Sequence, residues 1–354
     1  MNNKKLWIAS ILIAGVFALS AFTTGHAPAP TTSGDIPSPL VSIPAIRSAA
    51  TKSLSLLEKS GYVFTTRSRA HCASCHHSSL TSMAAAIARE KNIPVTDSFT
   101  RHRIIATEET MTNFNNPNLI NDFLTVNLAE PYFLLALNAD RYPPDFHTDL
   151  AVDYLISQAL PDGRFLSETG RIPLETGEIH LTAMAIRAIR LYASPAKTPQ
   201  VDRLVAKSKK WLENTNPDQQ QELAFKLLGL QWCGSSTEQK TKTASILLSM
   251  QNADGGWSQL PSLGSDAYAT GQNLYALYES GALRPEEPAY QKGLAYLLKT
   301  QDADGAWTLI SRSFPIQPFF SSDFPPYDEN QYISATASNW ALMALLNALP
   351  DQKP

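Results

Sequence analysis

The heptapeptide Gln251-Asn252-Ala253-Asp254-Gly255-Gly256-Trp257 returns as Gln301-Asp302-Ala303-Asp304-Gly305-Ala306-Trp307, so from 251 to 301 the chain repeats with a period of 50 residues. A degenerate copy, Asp162-Gly163-Arg164-Phe165, stands earlier. Each copy leads into an apolar helical pattern that opens near a threonine: Thr182-Ala183-Met184, Thr270-Gly271-Gln272 and Thr336-Ala337-Ser338. Self-similarity at this period means helical hairpins that bury a face only against their neighbours. Working outward, apolar residues recur at helical spacing through most of the body, as in Leu342, Leu345, Leu346 and Leu349, and strand alternation is not sustained. The pattern gives six hairpins. Their outer helices are expected near 46–60, 100–112, 147–159, 199–214, 237–250 and 286–300, with inner partners near 77–91, 120–138, 178–193, 220–232, 266–281 and 332–349. Six hairpins close a ring, so the expected fold is all-α, an (α/α)6 toroid.

The Gln-x-x-x-Gly-x-Trp repeats resemble the QW motifs of squalene-hopene cyclases and the related prenyltransferase repeat domains. In such a repeat the Gln is expected to close an outer helix, the Asp-Gly turn to reverse the chain, and the Trp to pack over the start of the inner helix. The resemblance implies the toroid, and its reaction residues are not matched. Class II cyclases protonate their substrate from an Asp-x-Asp-Asp motif, which is absent from the sequence; Asp302-Ala303-Asp304-Gly305 belongs to a repeat turn. Prenyltransferase β subunits hold zinc with an Asp-x-Cys and a distant His, and Gln231-Trp232-Cys233-Gly234 does not fit. Cys233 reads as a small buried residue. The likeness therefore carries the fold and leaves the reaction open.

The ends of the chain are of a different kind. Lys4 and Lys5 precede an apolar run from Leu6 to Ala21 that gives way to small and polar residues, the layout of a secretory signal peptide over 1–26. An uncleaved membrane anchor is the alternative. Residues 27–44 are rich in Pro, Ser, Thr and Gly and read as a disordered linker. The toroid then occupies 45–352, and the protein is expected to be periplasmic or secreted. A net charge of -3 with 17% charged residues gives no reason to invoke nucleic acid or an anionic membrane surface.

One stretch carries chemistry of its own: His71-Cys72-Ala73-Ser74-Cys75-His76-His77. It resembles the CxxCH haem attachment motif of c-type cytochromes. That resemblance implies one covalent haem c, with thioethers at Cys72 and Cys75 and His76 as an iron ligand. A zinc site using His71 or His77, or a plain disulfide or dithiol, stays open for the same residues. In the six-hairpin register the motif comes just before an inner helix, on the rim where all inner helices begin. The same rim should carry Arg164, Arg171, Glu178, His180 and Asp266. Arg164 and Arg171 are candidates to pair with haem propionates, because a guanidinium fork matches a carboxylate. His180 is the first candidate for a second axial ligand, ahead of Met83, His102, His147 and Met184. An aromatic flap is expected between Trp307 and Tyr332, from Phe314, Pro315, Pro318, Phe319, Phe320, Phe324, Pro325 and Pro326.

Three functions follow. The first is an exported single-haem protein for electron transfer or haem redox chemistry, with a redox partner protein or small molecule at the cavity mouth. The second is an isoprenoid-binding or cyclase-like protein, which an aromatic-lined cavity with an acid in it would support. The third is a binding module stabilised by zinc or a disulfide at 72–77.

Overall fold

The computed structural model describes residues 41–67, 73–114, 126–167, 172–174, 176–217, 219–313 and 322–351. Among these lie twelve α-helices: α1 (Ile43–Arg67), α2 (Leu80–Glu90), α3 (Asp97–Phe114), α4 (Val126–Ala139), α5 (Phe146–Gln158), α6 (Glu178–Tyr192), α7 (Thr198–Asn214), α8 (Gln220–Trp232), α9 (Thr237–Ser249), α10 (Ala267–Glu279), α11 (Pro288–Thr300) and α12 (Gln331–Asn347). No β-strand occurs among the described residues. None of their helices is long and apolar enough to cross a membrane.

The even-numbered helices form the inner ring, each packed on the next from α2 to α12, and α12 returns onto α2. The odd-numbered helices lie outside. The chain alternates outer and inner throughout, so the expected (α/α)6 toroid is the observed fold. Composition explains the layering. Inner helices are buried nearly all round, as α12 is from Ile333 to Asn347, whereas outer helix α7 buries only Val201, Leu204, Ser208 and Leu212. The outer spacing is that of one apolar stripe on a solvated helix.

The two full repeat turns build the same structure. Trp257 and Trp307 are fully buried, and their indole Nε1 donates to the outer-helix carbonyls of Leu247 (2.8 Å) and Leu297 (2.9 Å). Their backbone N–H donates to a hydroxyl on the inner helix, Thr270 Oγ1 or Ser338 Oγ, each at 2.9 Å. One tryptophan thus ties both helices of its hairpin. The glutamine does more than close a helix. Gln251 donates to Gly255 O in its own turn and to Ala289 O of the next outer helix. Gln301 does the same to Gly305 O and to Ala49 O of α1, which joins the last repeat to the first. At Gly305 φ is +99°, and an added Cβ would meet the Lys52 backbone at 2.9 Å, so the close approach of α1 requires glycine. In the degenerate copy Phe165 N–H donates to Thr182 Oγ1, and the ring has no donor to offer the outer helix.

The hydroxyl under the third turn is that of Ser338, two residues beyond Thr336. Two expected boundaries are corrected. Helix α2 starts at Leu80, and a π-helical turn, Cys75–Ser79, precedes it. Helix α1 begins at Ile43, inside the stretch read as linker. The signal segment and most of the linker lie outside the described residues.

Candidate functional site

The inner-helix starts converge on one rim, and three groups of side chains stand there.

The first surrounds the Cys75 turn. Ser74 caps it, its Oγ accepting from His77 N–H at 3.2 Å, and Cys75 is half-buried. His77 is 1% exposed, with its ring near Phe64 and edge-on to Phe324, centroids 6.0 Å apart. Ser60 Oγ donates to the carbonyl of Ser322, so its contact with His77 Nε2 at 2.8 Å must be one in which the imidazole donates. That fixes the tautomer and leaves His77 Nδ1 an acceptor without a hydrogen-bond partner. Burial pulls the pKa down to about 4, so the ring is neutral. The described end of the expected flap therefore lies on this turn, through Ser322 and Phe324. Phe314 to Phe320 lie outside the described residues, as do His71, Cys72 and Arg171; of His76 only the backbone is described.

The second group lies between α4, α6 and α8. His180 is fully buried and stacked on Phe225, centroids 4.1 Å apart. Its Nδ1 faces the Thr176 carbonyl at 3.3 Å and must donate there, so Nε2 accepts from Tyr132 O–H at 2.7 Å. Both ring nitrogens are engaged. An iron bond at His180 would have to replace the Tyr132 contact. Phe225 meets Trp340 edge-on across the ring at 6.1 Å, and Trp340 meets Tyr275 at 5.4 Å. These four rings, from α6, α8, α12 and α10, form one chain of contacts among the inner helices. On α4, Glu130 is fully buried two residues before Tyr132, and neither carboxyl oxygen has a hydrogen-bond partner among the described residues. Burial alone raises its pKa to about 8, so it stands as a neutral carboxylic acid at pH 7.

The third is a cavity of about 410 Å³ over the starts of α6, α8 and α10. Gln220, Gln221, Glu222, Gln259, Tyr268 and Arg312 are its polar lining, and Ile172, Pro173 and Leu260 its apolar lining. Glu222 reaches it past Gly177, φ +101°, where an added Cβ would lie 1.8 Å from Glu222 Oε1. Burial raises Glu222 to about 7. Asp266 caps α10 by accepting from Ala269 N–H at 2.8 Å, and burial raises it to about 6.

Of the residues singled out from sequence, the structure puts Cys75, His180 and Asp266 at inner-helix starts, in three separate groups. Arg164 pairs with Glu178 (3.1 Å) and Asp162 (3.5 Å). Glu130 and the glutamine-lined cavity were missed. A lone acid in the apolar run Leu128-Ala129-Glu130-Pro131-Tyr132, and the run Gln219-Gln220-Gln221-Glu222 opening an inner helix, are the signals that pointed to them.

Neither a protein-family profile nor a curated protein sequence matches the chain. Solved structures do. The type II terpene cyclase MstE from Scytonema, in complex with geranylgeranyl dihydroxybenzoate (the R337A variant), is similar at a TM-score of 0.57 and 12% identity, over 87% of this chain and 98% of that one. Its apo form gives 0.56, at 12% identity over 86% and 99%. A possible member of the GH105 family from Salmonella enterica gives 0.54, at 12% identity over 93% and 99%. At this identity the likeness is one of fold, and the fold it shows is the α/α toroid of the terpene cyclases.

Proposed function

We propose that this is a cyclase-like protein that binds an apolar, isoprenoid-type chain at the rim where the inner helices begin, with Glu130 as its acid. The observation that carries the reading is the Glu130 side chain: fully buried, unpartnered at both oxygens and held neutral by burial. A carboxylic acid kept protonated in an apolar site is a proton donor at pH 7. Its O–H proton would pass to one carbon of an alkene, leaving positive charge on the other carbon and a carboxylate on Glu130. The ring of Tyr132, two residues along the same helix, would offer a negative face to a cation formed there. Loss of a proton from the cyclised cation would restore the acid. Asp-x-Asp-Asp is absent, and Glu130 is the buried acid that stands in its place in this reading.

The test is to incubate the purified full chain with squalene, and separately with geranylgeranyl-bearing phenols, and to analyse extracts by mass spectrometry. Cyclised product lost in Glu130→Gln is the expected result. Product formation unaffected by Glu130→Gln, or a polyene recovered unchanged with no binding detected, would overturn the reading.

A second reading is supported by the placement of Cys75 at the first residue of the turn that opens inner helix α2, with His76 next. Covalent haem c at Cys72, Cys75 and His76 would supply one-electron chemistry, with Arg164 and Arg171 as propionate partners and a redox protein or small molecule at the cavity mouth. Arg164 would have to be shared with Asp162 and Glu178, and His180 would have to leave Tyr132 to act as second ligand. Export to a periplasm or the medium, read from residues 1–26, belongs to both readings. An absorption spectrum after co-expression with haem maturation proteins tests it. A c-type spectrum that survives denaturation and is lost in Cys72→Ala/Cys75→Ala supports haem, and a colourless protein removes it.

A further inference from the structure

The glutamine-lined cavity over α6, α8 and α10 stands on residues other than those of the proton-donor reading. We propose that it binds a neutral, hydroxyl-rich small molecule of sugar size. Its volume falls within the roughly 300–1,000 Å³ usual for small-molecule sites. The wall is built and rigid. Gln221 is 8% exposed and spends its amide on the fold: Oε1 accepts from Tyr268 O–H at 2.6 Å, and Nε2 donates to Pro173 O at 2.8 Å. Gln220 is 1% exposed, and its Nε2 donates inward to Asn273 Oδ1 at 2.7 Å. Its Oε1 has no partner, and neither has Glu222 Oε1.

Two buried acceptors, one turned toward α10 and one toward the start of α6, are therefore left over among the described residues after the protein's own bonds are made. Each such group costs about 1–3 kcal/mol unless something in the cavity satisfies it. Arg312, which lines the same cavity, uses Nε on Gln259 Oε1 at 2.9 Å, and its terminal nitrogens have no hydrogen bond among the described residues. Acceptors and a donor fork lining one cavity suit a ring of hydroxyls, because each hydroxyl both donates and accepts. Ile172, Pro173 and Leu260 supply the apolar contact for the C–H face of such a ring. A purely apolar chain would leave both orphan acceptors unsatisfied, and an anion would face Glu222 and the Gln220 carbonyl oxygen.

Binding of D-glucose, D-mannose, D-galactose and L-rhamnose to the full chain, measured by calorimetry and ligand-observed NMR, tests this. Cyclohexylmethanol and farnesol are the apolar controls. At least one hexose should bind at millimolar or lower concentration, with no binding of cyclohexylmethanol. Arg312→Leu and Glu222→Gln should each weaken it about tenfold or more, the scale of one lost hydrogen bond to a charged or buried group. Thermal melts of both variants near that of the parent protein would show that the fold is kept. If no hexose binds, or if binding survives both substitutions unchanged, the proposal fails. Farnesol binding that is insensitive to both substitutions would leave the isoprenoid reading intact while removing this one.

Discussion

The two halves of the ring solve the same problem differently. From α9 onward, outer and inner helices are joined by tryptophan turns, in which one side chain packs between two helices and donates to the outer one. The sequence has no tryptophan between the helices of the first two hairpins. There Arg103 on α3, 3% exposed, lies 3.3 Å from Asp140 and 3.7 Å from Glu58, and Arg89 reaches the same Asp140 at 3.0 Å. Ser82 Oγ donates to Asp140 and accepts from Arg103 Nε. A repeat turn joins helices with apolar surface and neutral hydrogen bonds; the early hairpins join them with a buried ionic cluster. The first solution depends little on which atoms surround it and can be copied along the chain. The second works only if every charge keeps its partner.

The comparison is broken most severely by removing the centre of either device. Trp307→Ala deletes a fully buried ring at the turn that closes the circle, and should cost about 3–5 kcal/mol in urea unfolding. Arg103→Leu should cost about the same, for a different reason: Asp140 and Glu58 are left as buried charges without their counter-ion. Combining Arg103→Leu with Asp140→Leu and Glu58→Leu should recover part of that loss, since Arg89 then lacks Asp140, whereas no partner substitution should rescue Trp307→Ala. A triple variant as unstable as the single one would mean that shape, and not charge, decides the early hairpins.

Much of this architecture was legible because it rests on repetition. The turns at 251 and 301 mark the outer-to-inner reversal, and a period of 50 residues fixes the helices on either side. What periodicity cannot show is which atoms an amide or hydroxyl will meet. Gln301 reaches Ala49, and the hydroxyl under Trp307 is Ser338, because ring closure and a long connection set those distances. The ionic cluster was silent for the same reason, since Glu58, Arg103 and Asp140 share no spacing. At the rim, the Cys75 turn was visible from its motif. Glu130 and the glutamine cavity depend on tertiary burial, which turns an ordinary carboxylate or amide into a chemically distinct one.

Glu130 sharpens the comparison by giving the early half a pH dependence of its own, at a higher pH than that of Asp266 beside the Trp257 turn. Its pKa is raised from 4.5 to about 8 on folding. Below pH 4.5 it is protonated in both states and costs nothing. Between 4.5 and 8 only the unfolded chain releases the proton, so stability is lost as pH rises through that window, by as much as about 1.4 kcal/mol per unit. Glu130→Gln should remove this slope and stabilise the protein by a few kcal/mol at pH 8 relative to pH 5. Equal slopes in parent and variant would mean that the carboxyl finds a partner in solution. His180 acts in the opposite sense. With a pKa lowered to about 4, it gives stability above pH 6.5 that is lost as pH falls toward 4. His180→Gln should make the acid limb shallower and leave the alkaline side alone, the rest of that limb belonging to buried His77 with the same lowered pKa.

Gly305→Ala comes next, at about 1–3 kcal/mol, because φ is +99° and the new Cβ would press on the Lys52 backbone at the seam.

The smallest change asks what the tryptophan turn is made of. Phe165 occupies the degenerate turn with its backbone bond to Thr182 intact and no indole to donate. Trp307→Phe would put the closing turn into that same condition: the ring stays, and the bond to the Leu297 carbonyl goes. Loss of one buried hydrogen bond, with some ring volume, should cost about 1–2 kcal/mol. If the cost instead matches that of Trp307→Ala, the donor is what holds the seam, and the degenerate turn must draw its strength from elsewhere. The close seat of Gly163 against Ser208 on α7, whose hydroxyl donates to the Gly163 carbonyl, is the contact that would then carry it.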